Sequence, residues 1–520
     1  MIIVTAREMQ QMDRLTIESF GIPGRILMEL AGSGAVRFML EKFSDLQNCR
    51  VGVVAGRGNN GGDGFVMARY LSQEKIPVTV YLLSAKTKVQ GDAKANLDLL
   101  PALDIEVIEM PDATIFRKYK AAMHRQDVWV DAVLGTGLKS EVKGVYRDVI
   151  EFINRLNKPV FAVDIPSGIN SDTGQVCGAA VQATATATFA FAKAGHVISP
   201  GAQYRGDLKI VEIGIPRFIA DSVSPRQYLL TEAAIRSAIL PRNPNAHKGT
   251  SGHLLVISGS PGKTGAAAMT AMAAMRSGAG LVTLGVPESL NAVLETQVLE
   301  AMTYALPETH DGMLDSAGLD AVLRLMAGKK CLALGPGIGT APETQQLIFS
   351  LLGKSRIPLV IDADGLNLLS QQPEILKQLR APAVLTPHPG EMARLCGTSV
   401  REVQEDRIQC ARRFSERYGV HVVLKGAGTV ISHPDGRVFI NPTGNSGMAS
   451  GGMGDVLTGL IAGFIAQGYA PEVAAHIGVY LHGAAADALF RQKGPMGFLA
   501  SEVMEAVPGQ IQHLVKCVCG

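Results

Sequence analysis

A glycine-rich segment near the end of the chain carries residues suited to phosphoryl transfer. In GGMGDVLTG, Gly451, Gly452 and Gly454 lead directly into an apolar helical pattern, and Asp455 falls in its first turn. Backbone N–H groups at a helix N-terminus attract anions and can stabilise a phosphoryl group during its transfer. A carboxylate beside them can remove the proton from a substrate hydroxyl. We therefore interpret Asp455 as a catalytic base in preference to a simple helix cap.

Further polar and glycine residues of the second half follow strand-like runs. Because the carboxyl ends of parallel strands meet at one sheet edge, where ligands bind, we expect these residues to gather near Asp455. His388 stands between two prolines, which favours a binding role over that of an ordinary loop residue. The segments are GPGIG with Gly335, Gly337 and Gly339, DADGLN with Asp362, Asp364 and Asn367, TPHPGE with His388 and Glu391, and KGAGT with Lys425, Gly426, Ala427, Gly428 and Thr429.

The first half of the chain has three comparable segments. GRGNNGGDGF, DAVLGTGLKSE and DIPSGIN each follow a strand-like run, so their residues should converge at one sheet edge. Asp131 and Asp164, with a serine and an asparagine, supply oxygen ligands suited to an alkali cation. Lys139 and Asp164 form a candidate acid–base pair. Taken singly, Asp63 could cap a helix and the other aspartates could cap strand ends, but together they indicate a site.

The segment LLVISGSPGKTGAAAM contains GKT, the last three residues of a phosphate-binding loop motif. The complete motif requires glycine where Ile257 stands, and a β-branched residue cannot provide the permissive backbone of that loop. We therefore expect Lys263 to be an ordinary loop residue. Small residues such as Ala266 would instead let a bulky ligand lie close to the start of the following helix.

The elements that must position these residues alternate between strand and helix in both halves. Strands separated by helices predict parallel sheets covered on both faces. The pattern loosens in a proline-rich stretch, which places the boundary between domains 1–224 and 225–520. The expected fold class is α/β, with two three-layer α/β/α domains of which the first is Rossmann-like. The predicted strands are 50–56, 78–84, 127–135, 159–168, 185–193, 208–214, 281–287, 331–335, 358–362, 383–386 and 421–425, and the predicted helices include 65–74, 455–467 and 472–489.

Composition and charge restrict the class of protein. The 520 residues are 47% hydrophobic and 18% charged, which is typical of a well-packed α/β protein with more than one core. A formal charge of +2 gives no electrostatic basis for binding nucleic acid or a membrane. No uninterrupted apolar run reaches the ~20 residues needed to cross a bilayer. Dispersed cysteines, with Cys517 and Cys519 in a terminal tail, and an N-terminus without a signal pattern favour a cytoplasmic protein.

Taken in order, the motifs resemble those of two enzyme families. HKGTSGHLLVISGS, TGAAAM, GPGIG, IDADGLN, TPHPGEMARL, KGAG and GNSGMASGGMGDVLTG are similar to motifs of the NAD(P)H-hydrate dehydratases, a branch of the ribokinase-like fold. NNGGDG, DAVLGTG and DIPSGI are similar to motifs of the NAD(P)H-hydrate epimerases. The resemblance covers nearly the whole chain, and it implies a ribokinase-like second domain fused to an epimerase.

The resemblance implies a function in metabolite repair. Hydrated NADH and NADPH exist as R and S epimers at C6 of the nicotinamide ring. The first domain would interconvert the epimers with the help of K⁺. The second would dehydrate the S form with Mg²⁺, while ADP is converted to AMP and phosphate. Such domains usually self-associate, so we also expect a homo-oligomer.

The resemblance also assigns residues to each site. The potassium ligands would be Asn60, Asp131 and Ser167. The epimerase residues that bind the hydrate would be Asn59, Asn60, Gly61, Gly62, Asp63, Gly135, Thr136, Gly137, Leu138, Lys139, Ser140, Glu141, Tyr146 and Asp164. The dehydratase residues that contact the hydrate would be Ala266, Gly337, His388 and Asp455. The adenine nucleotide would contact Lys425, Gly426, Ala427, Gly428, Thr429, Gly451, Gly452 and Gly454.

Two other functions are compatible with parts of the sequence. A kinase of a small alcohol would use Asp455 in the same way, although the TPHPGE loop and the fused first domain argue against it. A non-catalytic NAD(P)-binding sensor would need neither Asp455 nor the glycines that precede it.

Overall fold

The computed structural model describes residues 1–516, and Cys517 and Cys519 lie outside that range. The chain divides into two compact units. The N-terminal unit is Ile2–Gln227, and the C-terminal unit comprises Met1 and the chain from Tyr228 onwards. The boundary predicted from the sequence, between residues 224 and 225, lies three residues before the one in the structure.

A parallel sheet forms the centre of the N-terminal unit. The strands of this unit are β1 (Ile2–Val4), β2 (Val51–Ala55), β3 (Val78–Leu82), β4 (Glu106–Glu109), β5 (Val128–Ala132), β6 (Val160–Val163), β7 (Ala185–Phe189), β8 (Ala192–Lys193) and β9 (Asp207–Val211). Seven of them form the sheet in the order β4-β3-β2-β5-β6-β7-β9. The predicted strand 185–193 is interrupted at Ala190, whose φ is 57°. As a result β7 joins this sheet, whereas β8 pairs with β1.

Helices cover both faces of this sheet. Because successive residues of a strand point to opposite faces, Val53 and Val54 enter different cores. Val53 packs with Met67 of the helix after β2, and Val54 packs with Phe152 on the other face. The helices are α1 (Ala6–Arg14, continued by a π-helical turn Leu15–Phe20), α2 (Gly24–Lys42), α3 (Asn59–Gln73), α4 (Gly91–Leu97), α5 (Ala113–Met123), α6 (Val145–Arg155) and α7 (Arg217–Val223).

The C-terminal unit contains a second, larger sheet. Its strands are β10 (Gln227–Leu229, at the division), β11 (His253–Ile257), β12 (Leu281–Pro287), β13 (Met302–Leu306), β14 (Cys331–Leu334), β15 (Leu359–Ile361), β16 (Ala383–Leu385), β17 (His421–Leu424), β18 (Val430–Ser432) and β19 (Val438–Ile440). The sheet includes the order β13-β12-β11-β14-β15-β16-β17-β18-β19. The strands from β13 to β17 in this order are parallel, and β18 and β19 extend the sheet as an antiparallel hairpin.

Small residues allow the helices of this unit to pack closely. A Cβ on Gly459 of α17 (Met453–Ala466) would lie 2.2 Å from the Thr270 carbonyl oxygen of α9 (Thr264–Arg276). The other helices are α8 (Glu232–Ala238), α10 (Glu288–Glu295), α11 (Leu319–Leu325), α12 (Pro342–Lys354), α13 (Asp364–Leu369), α14 (Pro389–Cys396), α15 (Val400–Glu405), α16 (Arg407–Tyr418), α18 (Pro471–Lys493) and α19 (Ala500–Lys516). The predicted α/β class is confirmed for both units.

Helix α18 is apolar and long. By length and composition it could cross a membrane, but 61% of its most apolar stretch is buried inside the protein. Its buried residues Ala474, Ile477 and Leu481 belong to the same core as Leu254 and Val256 of β11. This is the environment of a core helix in an α/β domain.

Candidate active sites

Asp164 lies in a buried polar cluster just after β6. Its Oδ1 accepts hydrogen bonds from Lys193 Nζ at 2.6 Å and from Thr188 Oγ1 at 3.1 Å. Lys193 is 1% exposed, so this ion pair is shielded from water. Burial acts to raise the pKa of Asp164, but the charge of Lys193 and these hydrogen bonds together hold that pKa below its ordinary value. Asp164 is therefore ionised at neutral pH.

Two further carboxyl groups lie within electrostatic range of Asp164. Burial, together with the negative charges of Asp164 and Asp13, raises the pKa of Asp63 well above its ordinary value, although Lys193 opposes the shift. Burial also raises the pKa of Asp13 to about 6. Burial thus favours the protonated form of Asp63, whereas Lys193 favours the ionised form of Asp164, so the two carboxyl groups are pushed towards opposite protonation states.

The structure corrects the predicted pairing of Asp164 with Lys139. Lys139 lies in an exposed loop after β5, whereas β8 brings Lys193 to the carboxylate. The buried ammonium group is the one that determines the charge state of Asp164, because water does not screen it. In the structure, the ion-pair partner of Asp164 is therefore Lys193, and the acid–base role of Asp164 stays a prediction.

Three glycines of GRGNNGGDGF, Gly61, Gly62 and Gly64, lie inside a helix. Helix α3 begins at Asn59, earlier than the predicted helix 65–74. A Cβ on Gly61 would lie 2.0 Å from the carbonyl oxygen of Gly56, so the close packing of α3 requires glycine there. Asp63 is buried in the second turn, and it does not cap the helix.

The three predicted potassium ligands surround the start of the loop that follows β5. Asp131 is fully buried, and its carboxylate accepts hydrogen bonds from the Ser167 hydroxyl at 2.6 Å and the Ser167 backbone N–H at 2.7 Å. The backbone N–H of Leu134 donates to the Ser167 hydroxyl at 2.8 Å. Among the described residues, the buried Oδ1 and Nδ2 atoms of Asn60 have no hydrogen-bond partner. A buried carboxylate and an unsatisfied amide oxygen are suitable donors for a hard cation.

Residues 135–141 form a loop at the same sheet edge. A Cβ on Gly135 would lie 3.3 Å from the side chain of Asn60, which places the loop beside the start of α3. Tyr146 is half-buried in the first turn of α6. Burial raises the pKa of Tyr146, and the positive charge of Arg57, from the loop before α3, opposes this shift. The predicted hydrate-binding segments of the N-terminal unit are therefore neighbours.

In the C-terminal unit, the predicted glycine segment forms the start of α17. Gly452 is the N-cap with φ of 88°, so Gly454 and Asp455 occupy the first turn. A Cβ on Gly454 would lie 3.3 Å from Lys425 Nζ and 3.5 Å from Asp362 Oδ2. Burial raises the pKa of Asp455 to about 6, with the negative charge of Asp362 adding to the shift and Lys425 opposing it. Asp455 is thus a carboxylate of increased basicity at a helix N-terminus.

Asp362 and Lys425 form a buried ion pair below this helix start. Asp362 Oδ1 accepts from Lys425 Nζ at 2.7 Å, and its Oδ2 accepts from Thr458 Oγ1 at 2.8 Å. Lys425 Nζ also lies 3.8 Å from Glu391 Oε2. Burial acts to lower the pKa of Lys425, but the neighbouring carboxylates raise it, so the ammonium group stays charged. It supplies positive charge where a phosphate would approach Gly454.

His388 is the N-cap of α14. Its Nδ1 accepts hydrogen bonds from the N–H groups of Gly390 at 2.9 Å and Glu391 at 3.3 Å. A neutral ring with an accepting Nδ1 carries its proton on Nε2, which lies 3.3 Å from Glu391 Oε1. Burial and the charge of Lys425 lower the pKa of His388, which favours this neutral form. The side chain is 51% exposed, so it can also meet a ligand.

The loop of residues 425–429 is shaped by a buried arginine. Arg407 donates to the carbonyl oxygens of Ala427 at 2.7 Å and Leu424 at 3.1 Å. A Cβ on Gly426, whose φ is 142°, would lie 2.9 Å from the Arg407 guanidinium. With its carbonyl groups bound to Arg407, the loop has a fixed backbone at the predicted nucleotide site.

Ala266 and Gly337, both predicted to contact the hydrate, lie together. A Cβ on Gly337 would lie 3.1 Å from Cβ of Ala266 and 2.9 Å from Cβ of Lys263. The ammonium group of Lys263 turns to Asp364, with a distance of 2.8 Å between Nζ and Oδ2. Lys263 is half exposed in this ion pair and precedes the helix that begins at Thr264.

The sequence analysis did not identify three residues that organise these sites. Lys193 stands alone in the apolar run FAFAKAG, and an isolated lysine in such a run is a signal of a buried charge. Arg407 stands among other charged residues, and Thr458 lies in an apolar helix. Neither has a local signal, because burial and partners arise only when distant elements pack.

The fold and the two sites define an enzyme built of two α/β units. One unit has an acid–base cluster at the edge of a parallel sheet, and the other combines a helix N-terminus, a buried lysine and a basic aspartate as phosphoryl transfer requires. A family model described as NAD(P)H-hydrate dehydratase matches residues 254–509, and one described as YjeF-related protein N-terminus matches residues 24–195.

Whole-length relatives identify the family. The bifunctional NAD(P)H-hydrate repair enzyme of Moorella thermoacetica is 42% identical, over 99% of this chain and 97% of the relative. That of Escherichia coli is 34% identical, over 96% and 92%. A solved structure of the ADP/ATP-dependent NAD(P)H-hydrate dehydratase of Bacillus subtilis is 31% identical, over 55% of this chain and 98% of that one, with a TM-score of 0.48. The chain belongs to the family of bifunctional NAD(P)H-hydrate repair enzymes, as the motifs predict.

Proposed function

We propose that the C-terminal site dehydrates the S hydrate by transferring the terminal phosphoryl group of ADP to the C6 hydroxyl. The observation that carries this proposal is Asp455, whose pKa is about 6 at a helix N-terminus. A carboxylate of that basicity is a competent base at neutral pH. Hydroxide is a poor leaving group, whereas phosphate is a good one.

The reaction follows from the groups around Asp455. Asp455 removes the hydroxyl proton as the oxygen of C6 bonds to phosphorus, and AMP leaves. The lone pair of ring nitrogen N1 then expels phosphate from C6, and loss of a proton from C5 gives the reduced nicotinamide. Lys425 and the first N–H groups of α17 stabilise the charge on the transferring group. Lys425 to Thr429 and Gly451 to Gly454 would hold the nucleotide, while Ala266, Gly337 and His388 would position the hydrate.

The carboxylates around Asp455 also fit a divalent cation. Asp362, Asp364 and Glu391 all contribute negative charge at Asp455. Mg²⁺ is usually held by one or two carboxylates together with phosphate oxygens. We propose that phosphate oxygens of the nucleotide hold Mg²⁺ within this negative field, where the ion would neutralise phosphate charge and leave Asp455 to act as the base.

We propose that the N-terminal site epimerises the hydrate through acid–base chemistry. C6 carries both a hydroxyl group and N1, so removal of the hydroxyl proton allows the C6–N1 bond to open to an aldehyde. Asp164, ionised, would take that proton, and Asp63, protonated, would supply one to N1. Reclosure on the other face of the aldehyde gives the other epimer, and both carboxyl groups regain their starting states.

K⁺ is proposed at Asn60, Asp131 and Ser167. Burial raises the pKa of Asp131 to about 6, and a bound cation would keep this carboxylate ionised. The ion would fix the loop of residues 135–141 against α3 and so hold the hydrate near Asp164. Activity should therefore depend on K⁺ only in the N-terminal reaction.

One assay tests both activities. A mixture of R and S hydrates is incubated with protein, ADP, Mg²⁺ and K⁺, and the absorbance of reduced nicotinamide is followed. The wild type should convert the whole mixture. Asp164→Asn should convert only the S fraction, and Asp455→Asn should convert nothing while still interconverting the epimers. Failure of the wild type to recover reduced nicotinamide with either ADP or ATP would contradict the proposal.

A further inference from the structure

Three histidines cluster at the end of the C-terminal sheet that lies away from Lys425. His421 begins β17, and His433 directly follows β18. The antiparallel register places Val422 opposite Ser432, so the two histidines are neighbours at the N-terminal end of β17. Lys425 follows the other end of β17, about 13 Å away at the usual rise of a strand. The cluster is therefore separate from the candidate active site of the C-terminal unit.

Ring nitrogen atoms of neighbouring histidines lie within hydrogen-bond distance of one another. His433 Nε2 lies 2.9 Å from Nε2 of His476 in α18, and His433 Nδ1 lies 2.8 Å from Nδ1 of His421. Glu472 stands one helical turn before His476. The ligand atoms of His433, Glu472 and His476 all lie within 4.8 Å of one another. Ligands of one Zn²⁺ ion stand at most ~4.3 Å apart, so a small side-chain rotation is enough to bring all three into contact with an ion.

The surroundings favour ligation by neutral imidazole. His433 is 1% exposed, so its ring is shielded from water and faces the other two imidazoles. When His433 Nδ1 donates its proton to His421 Nδ1, its Nε2 lone pair is free to bind an ion. A ligating histidine commonly donates its other N–H to such a partner, which fixes its tautomer.

A salt bridge holds the carboxylate of Glu472 in place. The guanidinium group of Arg437 contacts both carboxylate oxygens of Glu472 at 3.0 Å and bonds Asp435 at 2.6 Å. Arg437 also orients the carboxylate, as outer hydrogen bonds do for metal ligands.

We propose that His433, Glu472 and His476 bind a divalent transition-metal ion, with His421 as a supporting hydrogen-bond partner. Two imidazoles and a carboxylate form a donor set for Zn²⁺. The ion would tie the end of β18 to the first turns of α18. Asp487 of α18 accepts from the N–H of Gly444 and from the Asn445 side chain, so α18 also holds the segment that leads to Gly451. The ion would thus stabilise the C-terminal unit without entering its chemistry.

Metal binding can be measured directly on the full chain without an affinity tag. Protein stripped of metal is titrated with Co²⁺, whose visible absorption reports nitrogen ligation, and zinc content is measured after dialysis against Zn²⁺. We expect one ion per chain and a higher Tm with Zn²⁺. Millimolar Mg²⁺ should not displace the ion, because Mg²⁺ prefers oxygen ligands.

Substitutions within the cluster test whether the ion binds there. His476→Gln and Glu472→Gln should each weaken binding by tenfold or more, whereas the exposed His310→Gln should bind as the wild type does. If His476→Gln does not fold by circular dichroism, Glu472→Gln decides, because that side chain is 29% exposed and glutamine keeps its shape. Absence of a Co²⁺ spectrum and of retained zinc, or undiminished binding in a folded Glu472→Gln variant, would overturn the proposal.

Discussion

Replacing Lys193 with methionine tests the electrostatic account of the N-terminal site. Methionine keeps most of the length of the side chain but leaves Asp164 without its buried cation. The pKa of Asp164 must then rise, because burial is no longer opposed by that charge. A protonated Asp164 cannot accept a proton. We therefore expect epimerisation to slow by about 10²–10⁴-fold, the usual contribution of a general base.

The same substitution should destabilise the N-terminal unit. Removing one member of a buried ion pair leaves an uncompensated charge and costs about 3–5 kcal/mol. In a unit of this size, 1 kcal/mol corresponds to roughly 2–4 °C, so the expected fall in Tm is about 6–20 °C. The folded pKa of Asp164 is lowered, so the contribution of the pair is complete above the ordinary value of about 3.9 and disappears as the pH falls through the lower folded value. The Tm values of the wild type and of Lys193→Met should therefore be compared near pH 7.

The chain provides a specific probe for this measurement. Trp129 is the single tryptophan and is fully buried in the N-terminal unit, so its fluorescence follows the unfolding of that unit alone. Epimerisation is the recovery of reduced nicotinamide beyond the S fraction of a mixed hydrate. Lys42→Met is the matched control, since it removes an exposed ion pair with Asp207 in the same unit. Exposed pairs contribute little, so the control should change Tm by no more than ~2 °C.

A double variant separates charge from packing. Asp164→Asn with Lys193→Met removes both charges, so it should recover much of the lost stability while epimerisation stays absent. The reasoning is refuted if Lys193→Met alone keeps the tryptophan transition within ~2 °C of the wild type and still converts the whole hydrate mixture.

Three further predictions concern the other groups. Because the pKa of Asp455 is about 6, kcat/KM for dehydration should fall tenfold per pH unit below about pH 6, and a pH profile of initial rates checks this. Ala266→Leu should raise KM for the hydrate strongly, since it fills the space beside Gly337, whereas Lys263→Ala should be nearly silent in the same kinetics. The folded pKa of Asp63 is raised, so the free energy of unfolding of the N-terminal unit should fall as the pH rises through that pKa. Asp63→Asn should abolish this fall, which thermal melts followed by Trp129 fluorescence at several pH values would measure.

Residues that directly follow strands were predictable from the sequence. Asp164 directly follows β6 and Asp362 directly follows β15, while Asp131 is the last residue but one of β5; parallel strands bring such positions to one edge of each sheet. The same pattern predicted α17 and its Asp455, because the apolar period and the preceding glycines mark a helix start. Spacing alone therefore predicted which of these residues lie at the ends of neighbouring strands.

Partners and helix limits depended on packing that spacing does not encode. The sequence around Lys193 predicts one strand, but the backbone turns at Ala190 and pairs β8 with β1, which delivers the lysine to Asp164. The sequence predicts a helix that starts at residue 65, yet α3 begins at Asn59 and includes Gly61, because it packs tightly against the backbone at Gly56. Arg407 can bond the carbonyl oxygen of Ala427 only because α16 packs against the loop of residues 425–429, and the local sequence does not encode that packing.

The two sites contain similar aspartate–lysine pairs that must act differently. Asp164 receives both of its side-chain donors on Oδ1, and within residues 1–516 no donor contacts its Oδ2, which is left to meet a substrate proton. Asp362 uses Oδ1 for Lys425 and Oδ2 for Thr458, so both oxygens are engaged. Asp362 thus holds Lys425 in place, and its two hydrogen bonds make it the weaker base of the pair Asp362 and Asp455. We propose Asp455 as the base, because the negative charge of Asp362 helps to raise the pKa of Asp455. We therefore expect the occupancy of the carboxylate oxygens to decide which aspartate of each unit takes the proton.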